Sequence, residues 1–313
     1  LVTAANWPLV LIQFIAESVF KILLGVPVAG GILLVALVVG HDVSDLLSGE
    51  MREIVAALLG SLADRPAALV GFIVALAIVV LGGSTLMFTV KAGTVLVLAT
   101  AEREAGAIEH PPLRWPLFQQ AYQFTPERFL EGCQRFWKRY VRLGLMLLAV
   151  YGLSGGLYLL AVVIGYGFFE RAEAAVWWTG MAALASTVLV IWITLINFVY
   201  LLIQMVIAAD DVSVKRAAGR ILQLARTRGR QLTGVFLVVL ALVLVATGVS
   251  IVAAAALGLI SFVPFVGLAV FPLQAAAWLV RGLLFQYIGL TALGSYLSLY
   301  RGQLARPASG GPA

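Results

Sequence analysis

FTVKAGTVLVLATAERE (88–104) closes a long apolar run, and FTPERFLEGCQRFWKRYVRLGLMLL (124–148) carries the chain through a basic segment into the next apolar run. The order recurs at FVYLLIQMVIAADD (198–211) and SVKRAAGRILQLARTRGRQLTGVFL (213–237). Apolar runs much longer than a soluble core strand or helix require lipid as their solvent. Unbroken runs of this length also exclude a membrane β-barrel, whose strands alternate over about ten residues. The fold class that follows is an all-α, polytopic membrane helical bundle.

Composition agrees. Of 313 residues, 62% are hydrophobic and 12% are charged, with a mean hydropathy of +1.03. Soluble domains carry about 25% charged residues. The net charge of +6 would raise nucleic acid as a partner in a soluble protein. Here the basic residues flank apolar runs, where topology and anionic lipid account for them, so no nucleic-acid partner is expected.

Six segments are long enough to span: 22–40, 67–100, 143–169, 174–208, 232–259 and 266–299. Residues 8–24 and the basic segments 126–142 and 213–231 read as amphipathic helices lying in the headgroup plane. Together these make residues 1–300 a single membrane domain, and 301–313 reads as a disordered Pro/Gly/Ser-rich tail. Residues 41–65 read as one acidic amphipathic helix on the opposite face.

All Lys and Arg except Arg52, Arg65 and Arg171 fall on one side or nearer to it. By the positive-inside rule that side is the cytoplasm, with both termini there, as expected of a multi-pass protein with six spans. The sequence also repeats. Phe88–Glu102 and Phe198–Asp211 align as exits marked by an acid, and FQYIGLTALGSYLSLY from Phe285 starts a third. The repeating unit is a surface helix, a span out and a span back, with like orientation in every copy.

Thr125-Pro126 opens the first basic helix with a cap and a proline at its first position. Its apolar face is Phe129, Cys133, Phe136, Trp137 and Tyr140, and Arg135, Lys138, Arg139 and Arg142 are displaced from it. Ser213 caps the second, with Ala217, Ile221, Leu224 and Ala225 on its apolar face and Lys215, Arg216, Arg220, Arg226, Arg228 and Arg230 around it. Two readings stand. These residues anchor topology, or they contact anionic headgroups or a partner protein, each worth about 1 kcal/mol near an anionic surface.

Ionisable residues within spans are functional hypotheses by default. Glu17 pairs with Lys21 at i, i+4 spacing, Lys91 can snorkel, and Arg281 lies well inside the sixth span. Arg281 with Gln274, Asn197 or Gln204 forms a candidate intramembrane polar site for an anionic headgroup or a carboxylate; the alternative is interhelical hydrogen bonding. Proton- or sodium-coupled transport is disfavoured by the lack of carboxylates within spans two to six. His41 with Asp42, Asp45, Glu50 and Glu53 matches no standard metal spacing and reads as a solvated surface. His110 reads as a loop residue. No catalytic motif, metal site or cofactor site is expected. Small residues offer close helix approach at Gly152 and Gly156, and along Ala246, Ser250, Ala254 and Gly258.

The span exits Phe88–Glu102 and Phe198–Asp211, with the basic entries RFWKRYVRLG and RTRGRQLTG, resemble those of a broad group of uncharacterised six-helix bacterial inner-membrane proteins. The layout is similar to the membrane domain fused to some glycerophosphodiester phosphodiesterases. The resemblance implies fold and location; the phosphodiesterase catalytic domain is absent, so it implies no activity. Three functions are expected in turn. The first is a non-catalytic membrane subunit or scaffold that docks partner proteins or lipids at the cytoplasmic face. The second is a transporter or lipid-handling protein. The third is the membrane portion of an enzyme whose soluble domain lies outside this chain.

Overall fold

The computed structural model describes residues 2–39, 66–105, 115–168, 172–261 and 266–304. Among them the regular structure is helical: α1 (Val2–Ala5), α2 (Pro8–Val39), α3 (Pro66–Ala105), α4 (Trp115–Ala121), α5 (Pro126–Phe168), α6 (Ala172–Asp210), α7 (Val214–Ser261) and α8 (Val266–Leu304). Six of these helices are long and apolar enough to cross a membrane, so the chain is a multi-pass membrane protein. The acidic segment 41–65, with its His41 cluster, and His110 lie outside the described residues.

The long helices form three hairpins: α2/α3, α5/α6 and α7/α8. Their second members are central, with α3, α6 and α8 packing on one another. Each first member fills an outer groove. α2 packs on α3 and α8, α5 on α3 and α6, and α7 on α6 and α8. Every first helix thus touches its own partner and the second helix of a neighbouring hairpin. This cyclic arrangement is the spatial counterpart of the aligned exits, since Phe88, Phe198 and Phe285 lie on the three central helices. The ring of Phe88 meets Tyr200 edge-on at 6.3 Å, and that of Phe198 meets Tyr296 at 5.4 Å.

Burial is concentrated at one end, where the exits and basic entries lie. Leu98, Phe136, Tyr140, Leu202, Met205, Leu224, Tyr296 and Leu297 are buried there in one cluster. Toward the other end Leu157, Val188, Val245 and Leu273 are exposed, as lipid-facing side chains are. The charged end is a packed core; the far ends of the hairpins present apolar side chains outward.

Two of the three expected surface helices run without a break into spans. Residues 8–24 are continuous with the following span, through Pro27 without a break, and Leu9, Val10, Gln13 and Ala16 are buried in the bundle. α5 is one helix of 43 residues, about 65 Å at 1.5 Å per residue. A helix without a break cannot lie in the headgroup plane and also cross it, so 126–142 extends from the span. α7 differs: its 48 residues are two helical pieces that meet at a kink at Arg228 (φ −131°, ψ 29°), close to the expected boundary between the basic segment and its span. The apolar faces of both basic segments pack on protein, because Phe136, Tyr140, Ala217, Ile221 and Leu224 belong to the core cluster. Trp137 and Ala225 are the exceptions, each one residue round the helix from the buried stripe and exposed. The tail also begins later than expected, since α8 continues through Leu304.

Thr125 caps α5 as its sequence implies: its Oγ1 accepts from Arg128 N at 3.3 Å, and its carbonyl accepts from Phe129 N at 3.0 Å. At the crossing of α3 and α5 the two backbones come into close approach. A Cβ added at Gly132 would stand 2.9 Å from Gly93 Cα, and one at Gly93 would stand 2.6 Å from the Phe129 carbonyl oxygen. Gly152 and Gly156 differ from expectation, with open space at each. Ala246 is buried, Ser250 and Gly258 are partly exposed, and Ala254 is exposed.

Candidate functional site

The charged end is built from the helix termini inward. α3 and α6 both end in acids, at Glu102 and at Asp210 and Asp211. Carboxylates at helix C-termini face the negative end of the helix dipole, so each needs a compensating cation. Each has one. Glu102 accepts from Arg301 at the end of α8. Asp210 accepts from Arg220 on α7 and from the Tyr300 hydroxyl. Asp211 accepts from Arg135 Nη2 at 2.5 Å and from Arg139, both on α5. Those two guanidinium groups hold the Asp211 carboxyl below the usual aspartate range. Arg228 Nη2 donates to the Gly302 carbonyl at 3.0 Å, and Arg301 Nη2 to that of Ala99 at 2.6 Å.

Of the ten basic residues expected to meet lipid or a partner, Arg135, Arg139, Arg220 and Arg228 are therefore bound within the protein. Lys138, Arg142, Lys215, Arg216, Arg226 and Arg230 are exposed, and none forms an ion pair among the described residues. Lys138 Nζ lies 5.7 Å from the Trp137 ring centre.

Sequence reasoning passed over Asn6. It is fully buried; its Nδ2 donates to the Val2 and Ala121 carbonyls at 2.9 and 2.7 Å, and its Oδ1 accepts from Gln123 N at 2.9 Å. The side chain ties the turn after α1 to the end of α4, satisfying three groups at once. No periodicity or motif marks it, because the partners it joins to α1 are main-chain atoms 115 and 117 residues away.

The expected intramembrane polar site is divided. Arg281 and Gln274 line one cavity of about 410 Å³ with Ala246, Ser250 and Ala254. Arg281 also borders a second, of about 350 Å³, with Glu17, Lys21 and Gln286. Gln204 lines a third, of about 560 Å³, together with Lys91, Glu17 and Gln13. Asn197 stands apart, with its Oδ1 accepting from the Tyr151 hydroxyl inside the α5/α6 hairpin. Glu17 does pair with Lys21, at 2.6 Å, and also accepts from Gln286 Nε2. Among the described residues no three His, Cys, Asp or Glu side chains converge on a metal position.

No protein-family model matches this chain, and no curated protein or solved structure is significantly similar to it.

Proposed function

We propose that this protein is a non-catalytic membrane subunit or scaffold of a bacterial inner membrane, with both termini and the charged end in the cytoplasm, that docks anionic lipid headgroups there. One observation carries the reading: the charged end neutralises Glu102, Asp210 and Asp211 with Arg301, Arg220, Arg135 and Arg139, and still presents Lys138, Arg142, Lys215, Arg216, Arg226 and Arg230 unpaired among the described residues, more than the exposed Glu104 and Glu127 offset. A surplus of exposed cations beside the spans favours the cytoplasmic leaflet and attracts anionic lipid. Orientation is tested by Ser213→Cys in a Cys133→Ala background: a membrane-impermeant maleimide added to intact cells leaves it unlabelled. Docking is tested by replacing all six residues with Gln and weighing the lipid that co-purifies by native mass spectrometry. Retained phosphatidylglycerol falls relative to phosphatidylethanolamine if the reading holds. An unchanged lipid ratio with a lost protein partner would favour protein docking instead.

A lipid-handling role is the second reading, favoured by a groove of about 880 Å³ between α7 and α8. Gln231, Thr291 and Ser295 lie at its charged end, and Val238, Leu242 and Val249 lie further along. A groove with a polar end and an apolar length matches an amphiphile in outline. Reconstituted protein that accelerates lipid movement between leaflets supports this reading.

A further inference from the structure

α2, α3, α6 and α8 surround a cavity of about 560 Å³, within the range of small-molecule and headgroup sites. Its polar side chains are Gln13, Glu17, Lys21, Lys91, Gln204 and Gln286. Glu17 is already engaged by Lys21 and Gln286. Lys91 has no ion-pair partner among the described residues; its ammonium lies 5.6 Å from the Tyr200 ring centre, a contact that leaves its N–H groups without a strong acceptor. Gln204 is 3% exposed, and its Nε2 has no hydrogen-bond partner among the described residues. A buried donor left unmet, as Gln204 Nε2 is, costs about 1–3 kcal/mol.

The charge balance points the same way. One carboxylate, Glu17, faces two ammonium groups, Lys21 and Lys91, in a cavity otherwise lined by side chains such as Phe20, Leu24, Met87 and Leu290. The adjoining cavity shares Glu17, Lys21 and Gln286 and adds the guanidinium of Arg281. An excess positive charge in apolar surroundings is stabilised by one anion with oxygen acceptors.

We propose that this cavity binds the anionic oxygen group, carboxylate or phosphate, of an amphiphile. Lys91 supplies the charge, Gln204 Nε2 a hydrogen bond, and the apolar lining takes the adjoining hydrocarbon. The site lies among the helices and uses none of the six exposed basic residues of the headgroup reading, so either proposal can fail alone.

The test uses the full-length protein, delipidated in nonionic detergent, with three fluorescent probes: a dansyl fatty acid, a dansyl phosphatidylglycerol and a dansyl phosphatidylcholine. One or both anionic probes bind saturably and phosphatidylcholine does not; which anionic probe binds identifies carboxylate or phospholipid as the source. Lys91→Met weakens binding at least about tenfold, and Lys91→Arg restores it. Gln204→Glu places a carboxylate in the cavity that Lys91 also lines, and removes binding while the melting temperature stays level or rises, which separates lost affinity from lost fold. Equal binding of all three probes, no binding by the wild type, or Gln204→Glu binding as the wild type does overturns the proposal.

Discussion

Gly93 of α3 and Gly132 of α5 meet so closely that a Cβ on Gly132 would stand 2.9 Å from the Gly93 Cα. Atoms that near must move apart, and here one of the obstacles is backbone. Gly93→Ala and Gly132→Ala therefore lower stability by about 1–3 kcal/mol, the range for overpacking. Gly152→Ala, with open space around it, is neutral or slightly stabilising through helix propensity. Denaturation in mild detergent, followed by circular dichroism, separates the two groups. An equal loss at Gly152 would sink the distinction.

Asp211 does two things. Its φ of 52° ends α6 in the left-handed region, and its carboxylate gathers Arg135 and Arg139. Asp211→Asn keeps a residue that tolerates this backbone and loses the charge; Asp211→Ala loses both, and is less stable than Asn by about 1–2 kcal/mol. The carboxyl is held below its unfolded value. Its contribution is therefore complete above the unfolded aspartate pKa, about 4, and fades as pH falls through the lower folded value. Melting temperature against pH falls less steeply below about pH 4 in Asp211→Asn than in the wild type.

Asn6→Ala leaves the Ala121 carbonyl and the Gln123 amide without their side-chain partner. Each such loss costs about 1–3 kcal/mol when the orphaned group stays buried. Asn6→Asp, protonated at low pH, keeps the accepting oxygen and one of the two donated bonds, so it falls between alanine and the wild type where a buried charge is avoided. Thermal midpoints at about pH 4 rank the three.

Glu102 and Arg301 are partly buried, and join residues 199 apart in sequence. A double-mutant cycle with Glu102→Gln and Arg301→Gln gives a coupling on the order of 1–2 kcal/mol. The same cycle for Arg135 and Glu131, an exposed pair at 3.8 Å, gives little. Similar values for the two pairs would mean that burial at the α3–α8 junction does not strengthen the contact.

The helical class and the repeat were legible because both are written in long-range periodic signals: apolar runs, and an exit that recurs at Phe88, Phe198 and Phe285. The position of the basic helices was not. Phe136, Tyr140, Ala217 and Ile221 form an apolar stripe whether the stripe faces acyl chains or a neighbouring helix, and spacing carries no label for which. The partners of Arg135 and Arg220 were likewise hidden. Asp210 and Asp211 were visible as exit markers, but which guanidinium each receives depends on how the hairpins interlock. Gly152 and Gly156 had the right spacing for close approach; Gly93 and Gly132, on different helices, had no spacing to be read.

The cyclic order of the hairpins bears on where the chain can be cut. Thr3 at the beginning lies against α8, with its Oγ1 3.8 Å from where a Gly294 Cβ would stand, so the first and last helices already adjoin. A ring whose ends adjoin has no privileged starting point. Joining these two helices through a flexible linker and opening the chain after Val212, so that Asp211 keeps Arg135 and Arg139 and Val212 its place in the core cluster, would present the same three hairpins in a new order, as a circular permutant.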